Sequence, residues 1–257
     1  MIRTISLLLL HLKKKKILSM SSFNFESGET LLVNKPYGWT SFDVVNKVRY
    51  AIKKELGIKK IKIGHAGTLD PLATGLLILC SGKSTKRIDE FTGYDKEYTG
   101  TFTLGATTPS FDLETEIDKE YPISHLTEEM IREAPGGFAG VIQQVPPLFS
   151  AKWIEGRRAY KFARKEQEIE LKPNTVTISA FEITEVKLPE VMFRIVCSKG
   201  TYIRALARDF GTALNTGAHL TSLCRTRIGP WHLRDAYEVE GILDLVRKSG
   251  GQEVIKT

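Results

Sequence analysis

Gly64–Gly75 reads GHAGTLDPLATG, and the apolar run LLILC, Leu76–Cys80, follows at once. The run is continuously apolar and bounded by Gly75 and Gly82, which predicts a strand buried on both faces. Gly64, Gly67 and Gly75 permit backbone conformations that other residues resist. Pro71 pushes Asp70 out of the α region into an extended or turn conformation. An aspartate is thereby held on a stiff loop against the core. That geometry suits a carboxylate that must meet a substrate atom in one orientation. The residue types alone leave two roles open for Asp70, a turn cap or a reactive carboxylate.

Working outward, LLVNKPYGWTS predicts a short strand and a turn at Lys35–Gly38. FDVVNKVRYAIKKEL places Phe42, Val45, Val48, Ile52 and Leu56 at helical spacing, with Thr40 or Ser41 as N-cap. Ser84–Phe91 predicts a short helix and KEYTGTFTLGATT a half-buried strand. LTEEMIREAPGGF reads as a helix ending in two glycines. TVTISAFEITEVKL and VMFRIVCS read as paired strands, YIRALARDFGTAL as a helix and HLTSLCRTRIGPW as another strand. Strands and helices mix without regular alternation. The expected class is α+β, with a mixed, largely antiparallel β-sheet flanked by helices and loops.

The chain has 257 residues, 42% of them apolar and 26% charged, as in ordinary globular proteins. Cys80, Cys197 and Cys224 lie far apart with no metal-binding spacing, so no metal site is expected. The formal charge is +7, but Arg3 and Lys13–Lys16 supply five of those charges. Overall basicity therefore says little about a partner. ISLLLLHL followed by KKKK reverses the order of a secretory signal and is too short to span a bilayer. Residues 1–26 are read as an extension, either a disordered tail or an upstream mis-assigned start. Residues 27–235 are read as a catalytic domain and 236–257 as a short helix and tail. A monomer in the cytoplasm, with no membrane or protein partner, is expected.

Three further elements could carry chemistry. Arg204 falls in the first turn of a helix, where the dipole disfavours a cation. Such an arginine has its partner elsewhere, either Asp70, whose charged form it would favour, or Asp209 or a phosphate. Residues 143–172 contain Lys152, Arg157, Arg158, Lys161, Arg164 and Lys165, interleaved with Phe149, Trp153, Tyr160 and Phe162. Basic side chains neutralise phosphates and aromatics stack on bases, so the segment reads as an RNA-gripping arm or, alternatively, as an amphipathic helix. Tyr98 opens a strand and could stack on an extruded base or simply belong to a sheet.

VNKPYGWTS, GHAGTLDPLATGLL, DKEYTG, PPLFSAKW with GRRAYKFAR, CSKGTYIR and HLTSLCRTRIG, in this order, resemble the TruB family of tRNA pseudouridine synthases. The resemblance implies isomerisation of uridine 55 in the T loop of tRNA, on a flipped-out base, without a cofactor. It implies Asp70 as nucleophile, Arg204 as its partner and Tyr98 stacking on the uracil. His65, Tyr202 and Leu223 would contact the flipped nucleotide, and Lys35-Pro36 would be structural. The segment 143–172 would close over RNA. Two features depart from the family pattern. The acidic stretch TDTxDxxG is replaced by LGATTPSFDLET, which keeps only Asp112. About 29 residues follow Ile228, which suggests a short form without the C-terminal RNA-binding domain. A non-catalytic RNA-binding module, a different RNA target and a carboxylate glycosidase are the rival readings.

Overall fold

The computed structural model describes residues 23–149, 153–154, 157–158 and 171–251. In chain order the first half holds β1 (Thr30–Lys35), α1 (Ser41–Glu55), β2 (Ile63–Ala66), β3 (Thr74–Ser81), α2 (Ile88–Gly93), β4 (Lys96–Leu104), β5 (Ala106–Thr107), β6 (Lys119–Glu120) and α3 (Glu128–Glu133). The second half holds β7 (Gly140–Gln144), β8 (Trp153–Ile154), β9 (Arg157–Arg158), β10 (Asn174–Lys187), β11 (Glu190–Cys197), α4 (Ile203–Ala213), β12 (Ala218–Ile228), β13 (Trp231–His232), β14 (Tyr237–Glu238) and α5 (Val239–Gly251). The main sheet runs β14-β1-β3-β12-β4-β11-β10-β7, with β2 on β3 and β13 on β12. Only β1/β14 and β3/β12 are parallel. The fold is α+β with a mixed, largely antiparallel sheet, as its alternating strands and interspersed helices require.

The run LLILC is buried on both faces because two cores meet at β3. Leu77 and Leu79 face Val44, Val45 and Val48 of α1 and Ile242 and Val246 of α5. Leu76, Ile78 and Cys80 face Phe91 of α2 and Ile228. A third core packs Leu206 and Phe210 of α4 against Phe102 and Phe193. Phe25 also belongs to the α1–α5 core, so ordered packing begins inside the stretch that composition set aside as an extension.

Several local expectations shift in detail. Thr40 caps α1 through a capping box with Asp43. The helix expected at Ser84–Phe91 divides into a 3₁₀ turn, Gly82–Arg87, and α2. The helix expected over LTEEMIREAPGGF also divides, because Pro135 at the start of Ala134–Phe138 leaves a 3₁₀ turn rather than an α continuation. No helix among the described residues is long and apolar enough to cross a membrane.

The sheet order creates the opening that the site occupies. One edge of β3 pairs with β1. The other edge is shared, its start by β12 and its end by β2. The Gly67–Ala73 loop emerges at that junction. Gly75 makes the junction possible. It has φ +105°, and a Cβ there would lie 2.4 Å from the Arg225 carbonyl oxygen.

Candidate active site

The backbone before Asp70 is pinned by α1. The buried Ser41 hydroxyl accepts from Leu69 N at 2.8 Å and reaches Leu69 O at 3.2 Å. Behind Pro71, the fully buried Lys35 ammonium donates to the carbonyls of Pro36, Trp39 and Pro71. Burial lowers the Lys35 pKa to about 8, against the opposing pull of Asp70. Asp70 itself stays partly open, its side chain 41% exposed. A rigid backbone thus presents an accessible carboxylate.

Arg204 meets that carboxylate across 134 residues of chain. Its Nε donates to Asp70 Oδ2 at 2.9 Å. Its other nitrogens donate to the carbonyls of Ser110 at 3.1 Å and Phe149 at 2.9 Å. Asp112 Oδ2 lies 3.5 Å from the same Nε, and Asp112 is almost fully buried. The arginine in the first turn of α4 therefore has two carboxylates as partners. This offsets its unfavourable place in the helix dipole. Gln144, fully buried at the end of β7, holds Tyr202 by accepting from its N–H and donating to its carbonyl. The N-cap of α4 is thereby tied to the root of the 143–172 segment.

Asp70, Tyr98, Tyr202, Arg204 and Leu223 all line one cleft of about 310 Å³. That volume is at the low end for small-ligand sites, about 300–1,000 Å³. Burial pushes the Tyr98 phenol up, and the adjacent Arg225 opposes that shift. His65 lies on β2 and does not line this cleft. Burial, then Arg225, lower its pKa, and its Nδ1 has no hydrogen-bond partner among the described residues. Arg157 and Arg158 form the short strand β9 paired with β8. Lys152, Lys161 and Arg164 lie outside the described residues.

Two lining residues escaped the sequence reading. Arg225 is buried and donates to the carbonyls of Leu76 at 2.8 Å, Gly67 at 3.1 Å and Thr68 at 3.4 Å. It stands opposite Tyr98 in the β12–β4 register and opposite Gly75 in the β12–β3 register. Its signal in the sequence was period two from Leu223, which puts both side chains on one face. Lys96 is the second. It is buried, donates to Thr92 O at 2.7 Å, and burial lowers its pKa to about 8.

Comparison with known proteins gives this geometry its class. The chain resembles a solved chain from a Cbf5-Nop10-Gar1 complex, with a TM-score of 0.64 and 27% identity. It also resembles one from an H/ACA RNP bound to a substrate RNA containing 2′-deoxyuridine, with a TM-score of 0.60 and 27% identity. The matches cover 88% and 86% of this chain but only 60% and 53% of the two solved chains. Residues 53–203 match the model of the TruB family pseudouridylate synthase, N terminal domain. Fold and site together define a pseudouridylate synthase, an isomerase. The proteins named tRNA pseudouridine synthase B from Phocaeicola vulgatus and Bacteroides fragilis are 57% and 59% identical. They match over 90% and 80% of this chain and 99% and 88% of their own length. The chain belongs to the TruB family.

Proposed function

We propose that this enzyme converts uridine 55 in the T loop of tRNA to pseudouridine, with Asp70 as the catalytic carboxylate. The observation that carries the reading is the Asp70–Arg204 pair, an accessible carboxylate with a buried cation at the mouth of a nucleotide-sized cleft. The relatives' names support tRNA as substrate. The target base must leave the helical stack to reach a carboxylate inside a cleft. Tyr98 then stacks on the uracil, Leu223 and Tyr202 bound the nucleotide, and His65 contacts it from the neighbouring strand. The basic segment 143–172 grips the T arm.

The isomerisation balances without a cofactor. The C1′–N1 bond breaks, C1′–C5 forms, the C5 proton leaves and N1 gains one. The detached uracil must turn without escaping, which a closed cleft enforces. Asp70 acts on the ribose, the base or the hydrogen that leaves to form a glycal. Each route needs its carboxylate charged and aimed, as an adjacent arginine favours. In this reading residues 27–235 form the catalytic unit, and the enzyme works as a cytoplasmic monomer. The test is incubation with an unmodified tRNA transcript followed by pseudouridine mapping. Product at position 55 with wild type and none with Asp70→Asn is the expected result. Product at another uridine, or full activity in the variant, overturns the reading.

A further inference from the structure

Away from Asp70, two short chain segments set four lysines around one groove. Lys60 and Lys62 lie just before β2, and Lys83 and Lys86 lie on the 3₁₀ turn after β3. Residues three apart on a 3₁₀ turn eclipse each other, so the latter two share a side. All four are exposed, and the groove measures about 310 Å³. Among the described residues, Glu26 is its single acidic lining residue. None of the four lysines forms an ion pair among the described residues. The neighbouring acids are engaged elsewhere, Glu90 by Arg87 and Glu29 by Asn24 N.

The groove is a built feature of the fold. Gly82 N donates to Lys62 O at 2.9 Å, tying the two lysine-bearing segments together. Gly82 has φ +50°, and a Cβ there would lie 2.2 Å from Glu26 O. Strand β3 separates the groove from the Asp70 loop, and its eight residues span roughly 25 Å at about 3.3 Å each. Flexible ammonium groups on two walls, with no buried donor between them, suit a repeating row of phosphates better than one small anion.

We propose that this groove binds the phosphodiester backbone of the RNA substrate, at a part of the RNA remote from the nucleotide in the Asp70 cleft. The inference rests on the reading of a tRNA substrate above, and it extends the RNA contact beyond the cleft and the 143–172 segment. It predicts that the groove senses RNA length. A full tRNA reaches it, whereas an isolated T-arm stem-loop does not.

The experiment uses the full chain with Lys60, Lys62, Lys83 and Lys86 all changed to Gln. A control changes Lys47, Lys53, Lys54 and Lys248 on the α1 and α5 surface to Gln. Binding of labelled, unmodified tRNA and of the T-arm stem-loop is measured across a salt series, with thermal melting as the folding check. The expected result is about tenfold weaker tRNA binding for the groove variant. Its salt slope should fall by about 2–3, at ~0.7–0.9 per phosphate lost. Stem-loop binding and the single-turnover rate at saturating enzyme should not change. Unchanged tRNA affinity and slope, equal weakening on both RNAs, or an equal effect in the control overturns the proposal. Failure of the functional reading looks different. Wild type would then make no pseudouridine in tRNA, whatever the groove variant does to binding.

Discussion

Two buried arginines flank the loop that carries Asp70, and they do different work. Arg204 has carboxylate partners, Asp70 at 2.9 Å and Asp112 at 3.5 Å. Arg225 has none of these. It holds three backbone carbonyls, two of them in the loop and one at the start of β3. The first arginine sets the charge of the reactive group, and the second sets the path of the backbone that carries it. A charge partner can serve chemistry directly, because its field acts on the group that reacts. A carbonyl clamp acts through geometry alone, and its own positive charge stays uncancelled beside Tyr98, His65 and Lys96.

The largest expected effect removes the reactive group from this comparison. Asp70→Asn keeps a hydrogen-bond acceptor for Arg204 but not its charge, and Asp112 still balances the cation. Pseudouridine formation should drop on the order of 10³-fold or more, while stability changes by less than about 1 kcal/mol. Single-turnover kinetics and urea unfolding on one preparation read both. Activity within tenfold of wild type would break the assignment.

Arg204→Met should cost both activity and fold. It strands the buried Asp112 and leaves the carbonyls of Ser110 and Phe149 without their donor. The expected loss is about 3–5 kcal/mol, from an uncompensated buried charge. Adding Asp112→Asn should recover part of that stability but not the turnover. If the second change recovers nothing, Asp112 is not the stranded charge.

Arg225→Met tests the clamp. Loss of its carbonyl partners should destabilise the enzyme by about 2–4 kcal/mol. Turnover should fall about 10–100-fold through misplacement of the loop, with tRNA affinity little changed. A fall in affinity with intact turnover would instead make Arg225 a direct RNA contact.

The smallest effect is on the pH dependence of stability. The Lys96 pKa is lowered to about 8 from 10.5, so between those values the unfolded chain binds a proton that the folded one has released. Stability should therefore rise with pH across that window, relative to a Lys96→Met variant, and the difference should be flat below about pH 7.5. Parallel urea titrations at pH 7, 8.5 and 10 would show the sign. A falling difference would mean that the field of Arg225 and burial do not dominate at Lys96.

Much of this site was legible before the fold was known. The glycines, Pro71 and the LLILC run located a stiff loop abutting a buried strand, because local sterics and hydrophobic periodicity act within a few residues. The misplaced charge of Arg204 in a helix's first turn signalled a distant partner, since the dipole penalty there needs compensation. Arg225 and Ser41 gave no comparable signal. An arginine in a strand and a serine at a helix start are ordinary until the neighbouring elements are known. Asp112 was visible only as the acid left in a divergent stretch, and its burial against Arg204 belongs to the packing.

For this protein the sequence by itself determined the elements and the reactive loop: GHAGTLDPLATG, the strand after it, the helix-capping Thr40 and the basic, aromatic segment 143–172. The tertiary structure alone decided what the loop faces. Strand β3 accepts β12 and β2 on one edge, so residues 134, 149 and 158 positions apart come within hydrogen-bonding range. Local conformation follows from sterics and solvation of neighbouring residues. The charge partner and the backbone clamp of Asp70 follow from strand order, which depends on every packed face at once.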